Sequence, residues 1–434
     1  MLNVGFSRVD ITPPFGTELT GYFHKRYADG ILDPLELNAL AVCNENDTIL
    51  IITGDFMYIL EQQATRFRQL ISEATGIPMD HILTQAIHQH TSTTPGSEGC
   101  CDPHYMWFLE RKYCDVAKMA LDDLKEATVS VAQAETSEPI SFVRRFRMKD
   151  GTTATNPGFQ NPNIDAPLGK ADNTVRLVRF HRVGAKDIAL VGFATHPDTV
   201  TGSKVSADWP GFVRRMTEED LRDVHCILVN GCQGDTNHFN VSKPRPAADV
   251  SIKYAYTRHM GRVITDVVID LWNKTQPMEQ STISAAFVVK SVPSNTDGLE
   301  RFEECKALKD YIGTPEGMTK YGMEEKGEIR RIAAMESLTL FQQIPLTMVA
   351  FGKIAVVGYG GEPFTEYADV LREAYPDLFI LTACNCNGSQ GYLPSVSAFS
   401  EGGYEARTSN FTPVVAPTMQ GAALELLKEH RAKL

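Results

Sequence analysis

The chain contains 434 residues, of which 43% are hydrophobic and 22% are charged. These proportions are typical of a globular protein, so wholesale disorder is excluded. The net charge is −12, from 42 Lys and Arg against 54 Asp and Glu, and no basic cluster is interleaved with aromatic residues. Nucleic-acid binding is therefore not expected, because proteins that grip phosphate backbones carry basic surfaces.

The sequence also bears on compartment. No apolar run approaches the roughly 18 residues that a membrane helix needs, so no membrane span is expected. Residues 1–16 lack a basic patch followed by an apolar stretch, and no secretory signal is visible. The nine cysteines have no zinc-knuckle spacing and favour reduced, buried thiols. These features predict a cytoplasmic protein, and they leave its oligomeric state open.

Short apolar runs alternate with amphipathic stretches along the chain, a pattern typical of α/β layered domains. The apolar runs predict strands over Leu37–Cys43, Thr48–Thr53, Ile82–Ile87, Val175–Phe180, Ile188–Ala194, Cys226–Val229, Ile354–Gly358 and Phe379–Ala383. The amphipathic stretches predict helices over Tyr58–Thr75, Tyr105–Glu126, Gly211–Leu221, Ile252–Trp272, Phe364–Ala374 and Met419–Ala432. We expect an α/β fold of layered mixed sheets with flanking helices, in one large domain over residues 1–434.

The stretch Ser294–Glu336 differs from the rest of the chain. It is dense in charge, and its charges alternate in sign at helical spacing. It predicts a charged helical excursion, residues 294–336, within the large domain. An exposed helical pair is the favoured interpretation, and a lid over a functional site is the alternative.

Five predicted strands end in an unusual polar or Gly-rich turn. The side chains that these turns contribute include His88, His90, His196, Asp235, Thr236, Asn237, His238, Glu362 and Tyr392. A lone histidine after a strand is more often a hydrogen-bonded structural residue. In open α/β sheets, however, ligands bind at the carboxyl ends of strands because the loops converge there. The five turns together therefore predict a site at the C-terminal ends of the strands.

The histidines in these turns suit a metal. His88 and His90 are two residues apart, so in an extended chain both imidazoles address the same face. With His196 and Glu362 they complete a His, His, carboxylate set, the usual arrangement of a catalytic zinc site with one open position. Zinc lowers the pKa of bound water from about 16 to about 7. The motif His-Glu-x-x-His is absent, which excludes a helical zincin site.

Two acidic residues lie near the second histidine turn. Asp198 and Asp208 are candidates for orienting His196, as carboxylates often do for metal-bound imidazoles. A helix N-cap is the competing role for Asp208, because a predicted helix begins just after it.

Several short motifs extend across almost the whole chain. They are Val4–Pro14, Gly21-Tyr22, Asp33-Pro34-Leu35, His88-Gln89-His90-Thr91-Ser92, His196-Pro197, Ser206-Ala207-Asp208, Gly360-Gly361-Glu362, Gly391-Tyr392 and Gly402-Gly403-Tyr404-Glu405. Through these motifs the sequence resembles the N-terminal catalytic domain of the neutral/alkaline, non-lysosomal ceramidase family.

The resemblance implies one Zn²⁺ ion, with ligands that fall on His88, His196, Glu362 and Tyr392. It places His90 against the substrate or the zinc-bound water. It also implies a site arginine at Arg144, with Arg145 as the alternative assignment, and a hydrogen bond from Tyr404 to the scissile carbonyl or its oxyanion. These roles imply a zinc-dependent hydrolase that cleaves an amide or a related carbonyl bond.

The sequence departs from the family pattern in one turn. The family carries a serine in a Ser-Pro-Asn run where this chain has Asn237, or Thr236 if the register shifts by one. The residues Asp235, Thr236, Asn237 and His238 are therefore candidate substrate-binding residues, and the substrate is either a lipid or a smaller polar amide. A non-catalytic, metal-stabilised binding module of the same fold is the alternative function.

Overall fold

The computed structural model describes residues 2–244, 254–278, 282–337 and 339–434. Its largest sheet has nine strands, and we call it the large sheet. In spatial order its strands are Val224–Asn230, Asp187–Phe193, Thr174–Arg182, Lys125–Glu135, Leu2–Asp10, Glu36–Cys43, Thr48–Gly54 and Ile82–Ala86, with Gln276–Pro277 paired to Lys125–Glu135.

A second sheet of four strands faces the large sheet. Its strands, in spatial order, are Ile283–Pro293, Phe341–Phe351, Ile354–Tyr359 and Phe379–Ala383. Shorter strands pair outside both sheets, namely Glu18–Leu19, Arg26–Tyr27, Gly30–Ile31, Phe142–Val143, Arg145–Met148, Thr153–Thr155, Ile164–Pro167, Lys204–Val205, Thr236–Asn237, Glu362–Pro363 and Tyr392–Leu393.

Helices cover the outer faces of the two sheets and fill the connections. Those of the described ranges are Glu61–Thr75, Pro103–Asp122, Asp208–Leu221, Ala255–Trp272, Phe302–Leu308, Pro315–Lys320, Met323–Ala333, Thr365–Ala374, Val396–Glu401, Tyr404–Thr408 and Val415–Arg431. None of them combines the length and the apolar character that a bilayer crossing requires.

Alternating side chains divide the core into layers. In the strand Thr174–Arg182, Val178 packs between the two sheets, whereas Leu177 packs against the helices Asp208–Leu221 and Ala255–Trp272. The second sheet behaves in the same way, because Val356 faces the large sheet and Val357 faces the helices behind it. Successive side chains of a strand point to opposite faces, so both sheets are buried on two sides and the layers run helix, sheet, sheet, helix.

The strands that lead into the polar turns form parallel pairs at the edges of the sheets. Asp187–Phe193 runs parallel to Val224–Asn230, and Thr48–Gly54 runs parallel to Ile82–Ala86. These pairs lie at opposite edges of the large sheet, yet the edges meet: Gln85 donates to the Asn230 carbonyl at 2.6 Å and Asn230 donates to the Ile87 carbonyl at 3.0 Å. Polar turns distant in sequence therefore converge at one place.

The predicted α/β layered fold is confirmed. All eight predicted strands occur, with ends that differ by no more than two residues from those observed. The helix prediction Tyr105–Glu126 is wrong at its C-terminal end, where Lys125–Glu135 forms a strand. The predicted helix Ile252–Trp272 starts outside the described residues, and its described part begins at Ala255.

Four long strands have no counterpart among the predicted elements: Leu2–Asp10, Lys125–Glu135, Ile283–Pro293 and Phe341–Phe351. Three of them expose or half-expose many side chains, and Lys125–Glu135 alternates small buried residues with polar exposed ones. Antiparallel strands of this kind lack the continuous apolar runs of buried parallel strands. The apolar-run criterion therefore missed the three half-exposed strands, whereas Phe341–Phe351 is buried over its last eight residues and this reason does not explain why it was missed.

Residues 294–336 contain three short helices, Phe302–Leu308, Pro315–Lys320 and Met323–Ala333. They have a small core of their own, formed by Cys305, Ile312, Ile329, Ile332 and Met335. Phe23, from the N-terminal part of the chain, packs against this core. The excursion is thus helical and charged, and one of its faces is attached to the loop that carries Phe23.

Candidate active site

His88 and His90 follow the edge strand Ile82–Ala86, but the backbone between them is not extended. His88 has a φ of 84°, in the left-handed region that non-glycine residues rarely adopt. Hydrogen bonds from the His88 amide to the Phe56 carbonyl, at 2.8 Å, and from the His90 amide to the Pro197 carbonyl, at 3.1 Å, hold this turn. The extended geometry assumed from the sequence is wrong, and the strained turn is what directs both rings inward.

Three imidazoles from turns that follow strands meet in one buried cluster. The ring centroid of His88 lies 5.1 Å from that of His90 and 5.0 Å from that of His196. One ring nitrogen from each of the three lies within 4.8 Å of the others, and all three residues are buried. This spacing is compact enough for one metal ion to bind them together.

Backbone carbonyls determine which ring nitrogens are available. The Nδ1 atom of His88 lies 2.8 Å from the Met57 carbonyl, and that of His196 lies 3.1 Å from the Gln233 carbonyl. A carbonyl only accepts hydrogen bonds, so each neutral ring carries its proton on Nδ1 and presents the lone pair of Nε2. Metal-bound histidines are commonly oriented in this way.

Glu362 faces both of these lone pairs. Its Oε2 atom lies 3.2 Å from Nε2 of His88 and 3.4 Å from Nε2 of His196. The Nε2 atom of His88 is buried and has no hydrogen-bond partner. A carboxylate oxygen and an unprotonated ring nitrogen both carry lone pairs, so their close approach needs a proton or a metal ion between them. The residues therefore fit a metal ion.

The charge states of the group support the same conclusion. Burial alone would raise the pKa of Glu362, but His88 and His196 hold it well below its ordinary value. Burial and the neighbouring Arg144 lower the pKa of His196 to about 3. At neutral pH the site therefore holds an ionised carboxylate and a neutral imidazole, which are the forms that bind metals.

Arg144, rather than Arg145, points into the site. Its Nη1 atom lies 3.1 Å from Nε2 of His196, and its Nε atom lies 2.6 Å from Oε1 of the fully buried Glu405. The Nη2 atom of Arg145 instead binds Glu401 at 3.0 Å, and its Nε atom lies 3.6 Å from Oε2 of Glu405. Burial acts to lower the pKa of Arg144, but Tyr392, Glu405 and Glu362 outweigh it and raise that pKa. The arginine therefore stays charged beside the imidazole.

Two tyrosines complete the wall opposite the histidines. Tyr392 is the direct pairing partner of Glu362 in a short parallel ladder, which places the two side chains together. The Arg144 guanidinium lies 5.1 Å from the centre of the Tyr392 ring. The centres of the Tyr392 and Tyr404 rings are 5.6 Å apart. Burial raises the pKa of Tyr404 to about 12 despite the opposing effect of Arg144. Tyr404 is therefore a neutral hydroxyl donor.

His90 occupies the side of the site nearest the N-terminal loop. Both of its ring nitrogens are buried without a hydrogen-bond partner, and its Nδ1 atom lies 3.9 Å from Oδ1 of Asp198. The Tyr22 hydroxyl donates to that same oxygen at 2.6 Å. Burial, with His88 and His196, lowers the pKa of His90 well below its ordinary value. A neutral imidazole with free nitrogens can accept or donate a proton.

The segment 235–238 lies beside this group but is largely engaged in structure. The Asp235 carboxylate accepts from the Thr365 amide at 2.8 Å, at the start of the helix Thr365–Ala374. Thr236 and Asn237 pair with Val143 and Phe142, the two residues that precede Arg144. The segment thus positions Arg144.

The side chains of Asn237 and His238 lie close to the same wall. Asn237 donates from Nδ2 to Asn156 Oδ1 at 3.4 Å, and the His238 ring contacts the Phe239 ring in a tilted arrangement with centroids 4.0 Å apart. Burial and His196 lower the pKa of His238 to about 3. The substrate-binding roles of residues 235–238 stay predictions.

Asp198 and Asp208 do not orient His196 directly, as one sequence interpretation had it, because the Gln233 carbonyl does. Asp208 accepts hydrogen bonds from the amides of Thr199 and Val200, both at 2.9 Å, and so holds the loop that follows His196. Its N-cap alternative is wrong as well, because Ala207 occupies the cap position.

Comparison with known proteins places this geometry in a wider context. No protein-family model and no curated protein matches the sequence. A neutral ceramidase from Pseudomonas aeruginosa superposes with a TM-score of 0.75 at 13% identity, over 100% of this chain and 75% of that one. The chain has the neutral ceramidase fold. A ceramidase complexed with C2 gives a TM-score of 0.72 at 14% identity, over 100% and 76% of the two chains.

The neutral ceramidase fold confirms the resemblance seen in the motifs, at the level of architecture. The sequence reasoning did not find four residues that organise the site: Met57, Gln233, Tyr22 and Glu405. Met57 and Gln233 act through backbone carbonyls, which carry no sequence signal. Glu405 had a signal, since it directly follows Tyr404 in one of the motifs.

The buried Asp235 makes a testable contribution to pH dependence. Burial raises its pKa to about 6, although hydrogen bonds from Thr365 oppose that effect. A carboxyl with a raised folded pKa contributes stability that is complete below about pH 4 and lost as the pH rises through about 6. Asp235→Asn keeps an oxygen for Thr365 but cannot ionise. We therefore expect the fall in unfolding free energy between about pH 4 and pH 6 to be smaller in this variant, by up to about 3 kcal/mol. Urea unfolding at several pH values measures it.

The control for this experiment is Asp165→Asn. Asp165 is an exposed acid that binds Arg147 at 2.7 Å. Its replacement is expected to leave the pH dependence of the unfolding free energy unchanged. A decline in Asp235→Asn as steep as that of the wild type would contradict the prediction.

Proposed function

We propose that this protein is a metal-dependent hydrolase of the neutral ceramidase-like class that cleaves an amide bond. The observation that supports it most directly is the convergence of the Nε2 atoms of His88 and His196 on one oxygen of Glu362, at 3.2 and 3.4 Å. The amide class comes from the ceramidase names of the two structures that share the fold.

The proposed metal is zinc, because two imidazoles, a carboxylate and a phenol are oxygen and nitrogen donors of the kind that zinc binds. The residues proposed to hold it are His88, His196, Glu362 and Tyr392. When bound, zinc supplies a Lewis acid that polarises a carbonyl group and increases the acidity of water.

The chain's own residues supply the remaining functions. Arg144 and Tyr404 present a guanidinium and a hydroxyl to the same wall, where they would stabilise negative charge on a carbonyl oxygen. The buried ion pair with Glu405 keeps Arg144 in position, so this donor group needs no reorganisation during the reaction. We therefore propose that Arg144 and Tyr404 stabilise the oxyanion through hydrogen bonds.

His90 is the proposed proton carrier. It is neutral, nearly buried, and free at both ring nitrogens, so it can take a proton from water and deliver it to the departing amine. Asp198 and the Tyr22 ring, 5.7 Å from the His90 ring, limit the orientations of the imidazole.

The first experiment tests metal and chemistry together. Metal analysis of the purified protein is expected to find about one zinc ion per chain. Removal of the metal with a chelator should abolish hydrolysis of short N-acyl amides, and added zinc should restore it. A metal-free protein that hydrolyses these amides at the full rate would contradict the proposal. The cytoplasmic location and the choice between lipid and polar amides stay predictions.

The placement of His90 can be tested through a glycine. A Cβ atom at Gly21 would lie 2.7 Å from Nδ1 of His90, and Gly21 has a φ of 107°. We expect Gly21→Ala to displace the imidazole and to lower kcat/KM by about tenfold to a hundredfold. Steady-state kinetics on an N-acyl amide measure the effect.

Gly16→Ala is the matched control. Gly16 has a φ of 85°, but a Cβ atom there would meet nothing within 4 Å. Both substitutions cost backbone energy of similar size, on the order of 1–2 kcal/mol. Only Gly21→Ala should reduce kcat/KM, and equal losses in both variants would attribute the effect to strain in the loop.

A further inference from the structure

The charged excursion, residues 294–336, reaches the wall of the site through one glycine. A Cβ atom at Gly327 would lie 2.6 Å from the Tyr404 ring, so the helix Met323–Ala333 touches that ring directly. Residues three apart lie on the same face of a helix. Arg330 is therefore one turn beyond the contact, on the face that meets Tyr404.

Arg330 is held at this position by the backbone of the N-terminal loop. Its Nη2 atom donates to the carbonyl of Phe23 at 2.8 Å and to that of Tyr22 at 3.2 Å, and its guanidinium lies 4.5 Å from the centre of the Phe23 ring. The Phe23 ring is itself 6.3 Å from that of Tyr404. The exposed guanidinium is thus fixed beside the site, with donors to spare.

The charge around this loop is unusual for the molecule. Arg26 lies over the Tyr22 ring at 3.8 Å, and Lys326 lies 5.3 Å from the centre of the Phe23 ring. In the described parts of the chain, Arg26, Lys326 and Arg330 make no ion pair, whereas Arg301 in the same excursion binds both Glu304 and Glu328. Arg26 and Lys326 are buried and donate to backbone carbonyls, so Arg330 is the exposed member of this group that forms no ion pair in the described residues.

Acidic groups near this cluster are already engaged elsewhere. Asp198 accepts from the Tyr22 hydroxyl, and Glu324 accepts from the Thr155 amide at 2.9 Å. Glu18 acts electrostatically on Arg330 without forming an ion pair with it. The exposed Arg330 therefore has capacity for an anion that the described residues do not supply.

We propose that the substrate is an amide that carries an anionic group, and that Arg330 binds this group at the rim while the amide lies between His90 and Tyr404. This inference rests on the proposed hydrolase function and adds the substrate class. A guanidinium whose Nη2 is anchored keeps its other donors for a carboxylate, and such charge-assisted hydrogen bonds are strong. An uncharged lipid amide gains nothing from them.

The test compares anionic amides with neutral ones of the same shape. N-hexanoyl-β-alanine places a carboxylate on the amine side, and N-isopentylhexanamide is its neutral counterpart. Adipic acid monobutylamide places the carboxylate on the acyl side. Its neutral counterpart has an isopropyl group in place of that carboxylate. We expect kcat/KM to favour the anionic member of at least one pair, and the preferred pair shows which side of the bond faces Arg330.

Substitution of Arg330 then tests the assignment. Arg330→Gln is expected to lower the ratio of kcat/KM for the anionic and neutral members by about tenfold to a hundredfold. Arg330→Glu is expected to reverse the preference. Arg301→Gln, an exposed arginine of the same excursion, is the control and should leave the ratio unchanged. A wild-type preference for the neutral amides, or a ratio that Arg330→Gln does not change, would overturn the proposal.

Failure of the hydrolase function can be told apart from failure of this inference. If neither pair is hydrolysed, titration calorimetry with N-hexanoyl-β-alanine and with adipic acid monobutylamide measures binding alone. Binding that Arg330→Gln weakens would retain the anion site without the reaction, whereas absence of binding of both compounds to the wild type, or binding that Arg330→Gln does not change, would reject the anion site too.

Discussion

Replacing His196 by alanine is expected to reduce the zinc content of the purified protein from about one ion to less than about a tenth per chain. The same change should lower kcat/KM for N-acyl amides by at least about a thousandfold, because the proposed ion would supply the main activation of the carbonyl. His196 contacts Glu362 and Arg144 at once, so its loss removes a donor from the centre of the group. Metal analysis and kinetics on the same preparation measure both effects.

His430→Ala is the matched control for this experiment. His430 is also fully buried, but its ring nitrogens bind the Ser284 hydroxyl at 3.0 Å and the Gly352 carbonyl at 2.7 Å. Its loss is expected to cost about 1–3 kcal/mol of folding free energy and to leave the zinc content unchanged. Retention of a full equivalent of zinc by His196→Ala would exclude it as a ligand.

The second large effect is expected at Arg144. Its replacement by methionine removes the donor that we propose for the reacting carbonyl and should lower kcat by about a hundredfold to a thousandfold. It also leaves the fully buried Glu405 without its closest partner, which costs about 3–5 kcal/mol of folding free energy. Kinetics and urea unfolding of the variant measure the two losses separately.

A double variant separates stability from chemistry. Glu405→Gln removes the buried charge and keeps a side-chain oxygen. In the wild type the Thr155 hydroxyl donates a hydrogen bond to Glu405 at 2.8 Å, and the glutamine oxygen can accept the same bond. Combined with Arg144→Met it is expected to recover most of the folding free energy and none of the activity. Recovery of kcat in the double variant would show that Arg144 only stabilises the fold.

The sequence predicted the buried parallel strands well and the half-exposed ones poorly. Thr48–Gly54 and Asp187–Phe193 are buried on both faces, and their continuous apolar sequences indicate that burial. Lys125–Glu135 has one exposed face of polar residues, and its strand identity comes from the three strands that pair with it. A strand that owes its form to pairing has a weak local signal.

The site shows the same division. The residue types at the strand ends indicated metal chemistry, and the motifs indicated which histidines and which glutamate to group. The sequence could not choose between Arg144 and Arg145, since the choice depends on the contact of Arg144 with His196 and of Arg145 with Glu401, both of which join distant segments of the chain. It also gave no reason to connect Arg330 with Tyr404, which only the close packing at Gly327 does.

By itself, the amino-acid sequence determined the layered α/β class, the positions of the polar turns and the donor types that these turns present. Local periodicity encodes such features, because the buried face of a strand or helix consists of residues at a fixed short spacing along the chain. Only the tertiary structure decided that the two edges of the large sheet meet, and that carbonyls of Met57 and Gln233 fix the histidine tautomers. These contacts join segments distant in sequence, and their energy depends on positions in space that no local pattern records.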